Sequence, residues 1–255
     1  MSISKKIISR ANDFLTIVAG SKLGLIHVNE YPKCGGTWVS RLIRSYKDIP
    51  HKHGNTSLIH PNAVILKHEL YTPHFNNPII IIRDPRDVWV SYFFYEVYNH
   101  KGTHREIVLN GYEENLSDQE NLARYIEEKT TYPERFSPGF SYVEFIENWI
   151  DKTNIHVVKY EDVHKNPEVI LRGILEYCGE KNISTEKIKF AIEENSFKNI
   201  TGRKKGEQDK TSHKRKGIVG DWRNYFNSES CDLVYKNQQD LLMKLEYEKD
   251  ASWIK

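Results

Sequence analysis

Short apolar runs alternate along the chain with longer segments whose apolar residues recur every three or four positions. The short runs at residues 24–30, 63–66, 78–82 and 155–159 are predicted strands. Because residues 78–82 show no polar alternation, we expect both faces of that strand to be covered, as in a central parallel strand. The alternation of strand and helix patterns therefore predicts an α/β fold, with a central, mostly parallel sheet flanked by helices.

The helical patterns lie between and after these strands, as βαβ units require. The predicted helices cover residues 37–46, 85–98, 118–129, 142–151, 167–178 and 229–247. The second has a clear start, because Asp84 can cap it, Pro85 suits its first position and Asp87 stands where a capping-box acid would. Residues 201–220 contain little apolar material and are predicted to form a long loop.

Length and composition favour one domain with a sizeable core. The chain has 255 residues, 38% of them hydrophobic, and no repeat or low-complexity linker divides it. We therefore predict a single domain over residues 1–255. The 37 Lys and Arg against 35 Asp and Glu give a net charge of +2. This balance excludes a globally basic nucleic-acid coat protein and an acidic disordered chain.

Cysteine usage and hydropathy favour a cytoplasmic protein. Cys34, Cys178 and Cys231 are widely spaced and form no CxxC pair, so a reducing compartment fits best. No apolar run reaches the roughly 20 residues of a membrane span. Residues 1–22 are predicted to form an amphipathic helix docked on the domain, and contact of this helix with a membrane surface is the alternative.

Candidate chemistry begins in the turn between the first predicted strand and the helix after it. The turn reads Tyr31-Pro32-Lys33-Cys34-Gly35-Gly36-Thr37-Trp38. Its two glycines allow close approach of a ligand, and the helix start offers free N–H groups and a positive dipole end. Lys33 adds a charge and Thr37 a hydroxyl, so the turn can cradle a phosphate without being a Walker A loop. An ordinary strand–helix turn is the alternative.

A second candidate anion site follows the strand at residues 78–82. Arg83 stands at the carboxyl end of this strand, which in open α/β sheets faces the ligand crevice. Arg83 could hold a phosphate through a bidentate fork, and Ser91, two turns into the next helix, could add a hydroxyl. The alternative is an ion pair from Arg83 to Asp84 or Asp87.

The third candidate is the basic segment from Arg203 to Lys216. It holds seven Lys or Arg and two Asp or Glu, a local charge of +5, which leaves −3 for the rest of the chain. Basic charge gathered in one loop indicates an anionic ligand, and a solvated basic loop is the alternative. The segment continues into Gly217-Ile218-Val219-Gly220-Asp221-Trp222.

In this order, the three segments resemble the sulfotransferases that use 3′-phosphoadenosine-5′-phosphosulfate (PAPS). Residues 32–38 are similar to the family's 5′-phosphosulfate loop, usually PKSGTTW, and residues 83–92 to its 3′-phosphate element. Residues 215–222 are similar to its RKGxxGDW segment, and Tyr160-Glu161-Asp162 matches a further signature. The resemblance implies a P-loop-like domain that transfers a sulfuryl group from PAPS and releases 3′-phosphoadenosine-5′-phosphate (PAP).

The resemblance also assigns roles to single residues. Lys33 would contact the phosphosulfate and stabilise charge on the leaving phosphate. The other contacts to the 5′ end would be Cys34, Gly35, Gly36, Thr37 and Trp38. The contacts to the 3′-phosphate would be Arg83, Ser91, Arg215, Lys216 and Gly217. The contacts to the adenine would be Tyr160, Ser196 and Phe197, with Trp38 also stacking near it and residues 201–220 covering the donor. Cys34 replaces the usual Ser and Gly36 the first Thr, so backbone N–H groups must supply one or two contacts.

A base on the acceptor side is implied as well. The family carries a histidine after its second strand, and here His68 follows the strand at residues 63–66. A neutral imidazole near pH 7 is suited to take a proton from a hydroxyl. Glu69 is the alternative, since some relatives use a carboxylate. No metal is expected, because the spacings of the nearby histidines match no standard site. These histidines are His51, His53, His60 and His74.

Two other classes of function fit parts of this pattern. A P-loop phosphotransferase would require the Walker A motif, which the loop lacks. A non-enzymatic module would use the basic segment to hold nucleic acid or another anionic surface. The sequence favours a sulfotransferase that acts on a hydroxyl or amine of a small-molecule, lipid or carbohydrate acceptor, without nucleic acid. It leaves the identity of the acceptor and the oligomeric state open.

Overall fold

The computed structural model describes residues 11, 22–49, 61–75, 77–99 and 112–254. They fall into two compact units that alternate along the sequence. The sheet unit holds the described residues up to Glu30, then 35–82 and 148–200; the helical unit holds 31–34, 83–147 and 201–254. The single domain expected over residues 1–255 stays a prediction. The amphipathic helix expected at residues 1–22 lies outside the described residues, apart from 11 and 22.

The sheet unit is built on four parallel strands. They are β1 (Ile26–Glu30), β2 (Val64–Lys67), β3 (Ile79–Ile82) and β4 (His156–Lys159), in the order β2-β1-β3-β4. All neighbouring pairs run parallel, which confirms the predicted sheet. The four isoleucines of β3 are at most 1% exposed, as expected for a strand covered on both faces. The chain adds β2 on one side of β1 and β3 on the other, so the strand order reverses between β1 and β3.

The helices agree with the predicted pattern, with three additions. In chain order they are α1 (Gly36–Lys47), α2 (Pro85–Phe94), α3 (Asp118–Thr131), α4 (Tyr142–Trp149), α5 (Tyr160–Lys165), α6 (Pro167–Tyr177), α7 (Thr185–Glu194), α8 (Phe197–Thr201) and α9 (Ser228–Lys244). The sequence did not predict α5, α7 and α8. Two of these are very short, and α7 buries only Ile188 and Ala191, so its apolar periodicity is weak. Among the described residues, no helix is both long and apolar enough to cross a membrane.

The start of α2 corrects one prediction. Asp84 caps the helix as expected, since its carboxylate accepts a hydrogen bond from the N–H of Arg86 at 2.9 Å. Asp87 does not complete a capping box. Its carboxylate instead accepts from the N–H groups of Gly220, at 2.7 Å, and Trp222, at 2.9 Å. The capping-box prediction is wrong because these partners are remote in sequence and offer two backbone donors.

A buried ion-pair cluster stabilises the helical unit around Arg86. Its guanidinium makes two hydrogen bonds to Asp84, at 3.0 and 2.8 Å, and lies 2.6 Å from the carboxylate of Glu248. The rings of Trp222 and Trp253 lie 4.0 and 4.7 Å from it, at cation–π distance. Burial raises the pKa of Asp84 in spite of the neighbouring Arg86 charge. The cluster therefore depends on the Arg86 cation.

We expect Arg86→Met to lower the free energy of unfolding by about 3–5 kcal/mol, because it leaves a buried carboxylate without its partner. Arg124→Met is the matched control. Arg124 pairs with Glu113 but its side chain is 37% exposed, so the loss should stay below about 1 kcal/mol. Urea denaturation of both variants measures the difference. Equal losses of unfolding free energy in the two variants would contradict the stabilising role of the Arg86 cluster.

Candidate active site

The loop from β1 to α1 requires glycine at two successive positions. Gly35 has a φ of 100°, and a Cβ there would lie 2.3 Å from the ring of Tyr160. A Cβ on Gly36 would lie 2.8 Å from side-chain atoms of both Glu30 and Leu66. No side chain fits in either place without moving its neighbours. Close packing inside the protein thus requires the glycine pair, independently of the ligand contacts predicted for it.

A buried carboxylate lies at the amino end of α1. Glu30, the last residue of β1, is 3% exposed, and its carboxylate accepts a hydrogen bond from the N–H of Gly36 at 2.5 Å. The helix has no side-chain cap and no acidic residue in its first turn. Glu30 therefore supplies the negative charge that a helix N-terminus favours. The Gly36 N–H, one of the backbone groups expected to contact the donor, is already engaged.

The main chain of Glu30 also orients His68. The Nδ1 atom of His68 lies 3.0 Å from the carbonyl oxygen of Glu30. A carbonyl oxygen only accepts hydrogen bonds, so Nδ1 carries the proton in the neutral imidazole. The lone pair is then on Nε2, and the exposed His68 ring can accept a proton there. This is the tautomer that a general base requires.

Glu69, the alternative base, is anchored through its main chain. The side chain of Asn29 donates to its carbonyl at 2.8 Å and accepts from its N–H at 3.1 Å. Trp149 donates to the same carbonyl at 3.0 Å. The carboxylate of Glu69 is half exposed and pairs with Lys67 at 3.1 Å. The position of the backbone is thus fixed, and the carboxylate lies beside a cation.

An aromatic cluster surrounds Trp38 in the sheet unit. Its ring lies 5.9 Å from the ring of Tyr160 and 4.9 Å from that of His164. The Tyr160 hydroxyl lies 2.9 Å from Nε2 of His164, and the indole N–H donates to the carbonyl of Asn195 at 3.1 Å. His164 was not among the residues predicted from the sequence. The signal was its spacing of four residues from Tyr160, which places both on one face of α5.

The two remaining adenine candidates follow directly after Asn195. The Ser196 hydroxyl accepts a hydrogen bond from the N–H of Asn199 at 3.2 Å and so marks the start of α8. Phe197 is the first residue of that helix and is half-buried. Because Trp38 bonds to Asn195, the chain brings the start of α8 close to the aromatic cluster.

Arg83 is buried in the helical unit and bonded on several sides. Its guanidinium donates to the carbonyl of Lys33 at 3.1 Å and lies 3.6 Å from the carboxylate of Asp87. The Tyr142 hydroxyl accepts from the Arg83 N–H at 3.2 Å and donates to its carbonyl at 2.6 Å. The ion pair considered from the sequence is therefore present. Arg83 also holds the main chain of the loop that carries Lys33.

The 31–34 segment presents Lys33 and buries Cys34. Lys33 has a φ of 78°, and its Nζ lies 4.1 Å from the centroid of the Tyr95 ring. Cys34 is fully buried, and its N–H donates to the carbonyl of Tyr31 at 3.2 Å. Tyr31 in turn packs edge-on against several rings of the helical unit. Those rings belong to Trp89, Tyr92, Phe140 and Tyr142.

The basic segment is a long loop, as predicted, and its charges have internal partners. Arg215 and Lys216 both pair with the Asp221 carboxylate, Lys216 at 2.7 Å. Burial works against ionisation of Asp221, but the hydrogen bonds from Lys216 and Arg215 lower its pKa. Arg203 donates to the carbonyls of Lys214 and Arg215, and Lys210 pairs with Asp118. The loop is thus a bonded structure and not merely a solvated run of charge.

The residues predicted to contact the sulfuryl donor are divided between the two units. Those in the sheet unit are Gly35, Gly36, Thr37, Trp38, Tyr160, Ser196 and Phe197, with His68; those in the helical unit are Lys33, Cys34, Arg83, Ser91, Arg215, Lys216 and Gly217. Within the sheet unit Trp38 contacts Tyr160, and within the helical unit Arg83 contacts Lys33. Among the described residues no His, Cys, Asp and Glu are grouped as a metal site. His51, His53 and His60 lie outside the described residues.

Comparison with known sequences gives one consistent family. The family model of the sulfotransferase domain matches residues 59–245. Sulfotransferase 2A6 of Mus musculus is 27% identical over 63% of this chain and 55% of its own length; sulfotransferase 1B1 of Canis lupus familiaris is 29% identical over 63% and 53%. The chain thus spans about half the length of these two relatives. Human sulfotransferase 1C2 is 24% identical over 82% of this chain and 81% of its own length.

Solved structures show the same fold. Mouse sulfotransferase SULT7A1, complexed with PAP, has a TM-score of 0.66 at 18% identity and covers 93% of this chain and 94% of its own. Retinol dehydratase, in a complex with retinol and PAP, has a TM-score of 0.62 at 16% identity and 95% coverage of both chains. These likenesses confirm the predicted α/β fold. Because the family model matches well over half of its residues, the chain belongs to the sulfotransferase domain family.

Proposed function

We propose that this protein transfers a sulfuryl group from PAPS to a hydroxyl or amine of a small-molecule, lipid or carbohydrate acceptor. The observation that carries the proposal is the place of the glycine loop in the sheet. It follows the carboxyl end of β1, where the strand order reverses between β1 and β3. Open α/β sheets bind their ligands at such a switch point. The named relatives are sulfotransferases, and the two solved structures contain PAP.

The residues present fit a nucleotide that carries phosphate at two positions. Lys33 and Arg83 supply cations in the helical unit, and Arg215 and Lys216 add two more beside Asp221. In the sheet unit, the start of α1 provides the positive end of a helix dipole, and the Trp38 cluster provides rings that can stack on a base. We assign the phosphosulfate to the loop around Lys33, the 3′-phosphate to the Arg83 set and the adenine to the Trp38 cluster.

The mechanism follows from these assignments. PAPS, when bound, supplies a sulfuryl group attached to a phosphate that can leave. Lys33 stabilises the negative charge that develops on the leaving phosphate oxygen. Nε2 of His68 would accept the proton of the acceptor hydroxyl as its oxygen bonds to sulfur and the bond from sulfur to the leaving phosphate oxygen breaks. Arg83 and the basic loop hold the far end of the donor, which keeps the reacting atoms in line.

We place this activity in the cytoplasm. The three cysteines are free thiols, which fits a reducing compartment. Residues 201–220 are proposed to cover the bound donor. We propose no nucleic-acid partner, because the net charge of the chain is only +2.

Arg83→Ala should weaken PAP binding by roughly 10- to 100-fold, since a charge-assisted hydrogen bond contributes about 1.5–3 kcal/mol. Arg83 also supports the Lys33 loop, so the control is a change of ligand. Adenosine 5′-phosphate lacks the 3′-phosphate, and its affinity should hardly change. Calorimetry with both nucleotides separates the two effects. Equal losses for both would overturn the 3′-phosphate assignment.

His68→Ala should lower turnover by roughly 10²- to 10⁴-fold, the usual contribution of a general base, and leave PAP affinity nearly intact. Lys33→Ala should lower turnover and PAP affinity together, because its charge meets the donor in the ground state as well. Glu69→Gln is the decisive comparison, measured with labelled PAPS. If Glu69→Gln is inactive and His68→Ala active, Glu69 is the base.

Glu30→Gln should strengthen PAP binding by roughly three- to thirtyfold. The amide still accepts from the N–H of Gly36, but the negative charge at the amino end of α1, whose first residues are proposed to contact the 5′ end of the donor, is removed. Calorimetric titration with PAP measures the change, and thermal unfolding verifies that the variant is folded. A purely structural role for Glu30 predicts the opposite sign, so unchanged or weaker binding would refute this expectation.

A further inference from the structure

Tyr95 lies between two functional segments of the helical unit. It opens a π-helical turn, Tyr95–Asn99, that directly continues α2. Its ring centroid is 4.1 Å from Nζ of Lys33 and 4.6 Å from the ring of His213, which belongs to the basic loop. Turns of π-helix frequently occur at functional sites, where they re-aim a side chain. Here the turn presents an aromatic ring to the lysine proposed to act on the donor.

The next residue, Glu96, holds this turn in place. One carboxylate oxygen of Glu96 accepts from the Tyr125 hydroxyl at 2.6 Å, and the other lies 3.1 Å from Nζ of Lys129. Lys129 is buried, and its Nζ lies 3.9 Å from the centroid of the Phe136 ring. Removing one member of such a buried pair is costly, so Glu96 holds the turn firmly. The turn that carries the ring of Tyr95 is therefore held in place.

We propose that Tyr95 is a positioning residue for Lys33. The face of its ring attracts the ammonium group by a cation–π interaction and restricts the directions in which the flexible lysine chain points. His213 packs on the same ring and limits its rotation. The idea rests on the proposed function, because Lys33 acts in catalysis only if the protein is a sulfotransferase. The geometric part can nevertheless be tested without any turnover.

The geometric test is nuclear magnetic resonance of the protein after reductive ¹³C-methylation of its lysines. A dimethylammonium group over an aromatic ring resonates upfield of the other lysines, and Lys33→Arg identifies the Lys33 signal. Tyr95→Phe should keep the upfield shift, because the ring remains. Tyr95→Leu should abolish it. Tyr235→Leu, which removes an exposed tyrosine on α9 of the same unit, is the matched control and should leave the spectrum of Lys33 unchanged.

The kinetic test uses the same variants with labelled PAPS. Tyr95→Leu should lower kcat roughly tenfold with a smaller change in PAP affinity, and Tyr95→Phe should restore kcat. A Lys33 signal that Tyr95→Leu does not move overturns the positioning role, whatever the activity. Loss of the shift in a protein that transfers no sulfuryl group overturns the proposed function and leaves the contact standing. Equal kcat for Tyr95→Leu and Tyr95→Phe also overturns the positioning role.

Discussion

The hydrogen bond between the Gly36 N–H and the buried Glu30 carboxylate is the interaction on which the sheet unit's part of the site depends. It joins the end of β1 to the first turn of α1 and thereby sets the course of the glycine loop. The carbonyl of the same residue fixes the tautomer of His68. One position at the end of a central strand thus contacts both the start of α1 and the candidate base.

In the helical unit, acidic residues hold the basic side chains of the candidate site in position. Asp87 lies beside Arg83 and binds the backbone of the Gly220–Trp222 turn, while Asp221 holds Arg215 and Lys216. Arg83, Arg215 and Lys216 therefore each have an internal carboxylate partner. These pairs hold the three basic side chains in defined places before any ligand arrives.

The sequence predicted the features that depend on local pattern. The isoleucine run of β3 identified a covered strand, and the glycine turn was correctly placed between β1 and α1. The roles of Asp87 and His164 could not be read in the same way. Asp87 bonds to Trp222, 135 residues away, and nothing local in either segment indicates that meeting. His164 makes ring contacts with Trp38, which exist only once α5 packs near the start of α1.

The contact between Gly35 and Tyr160 has a consequence for how this chain can vary. The ring of Tyr160 occupies the space of a Cβ at position 35, and the φ of 100° there is one that side chains rarely adopt, so two separate restraints hold this position to glycine. A smaller residue at 160 would relieve only the first restraint, and it would also remove a ring from the cluster around Trp38. The arrangement of the aromatic cluster is thus tied to the backbone conformation of the glycine loop.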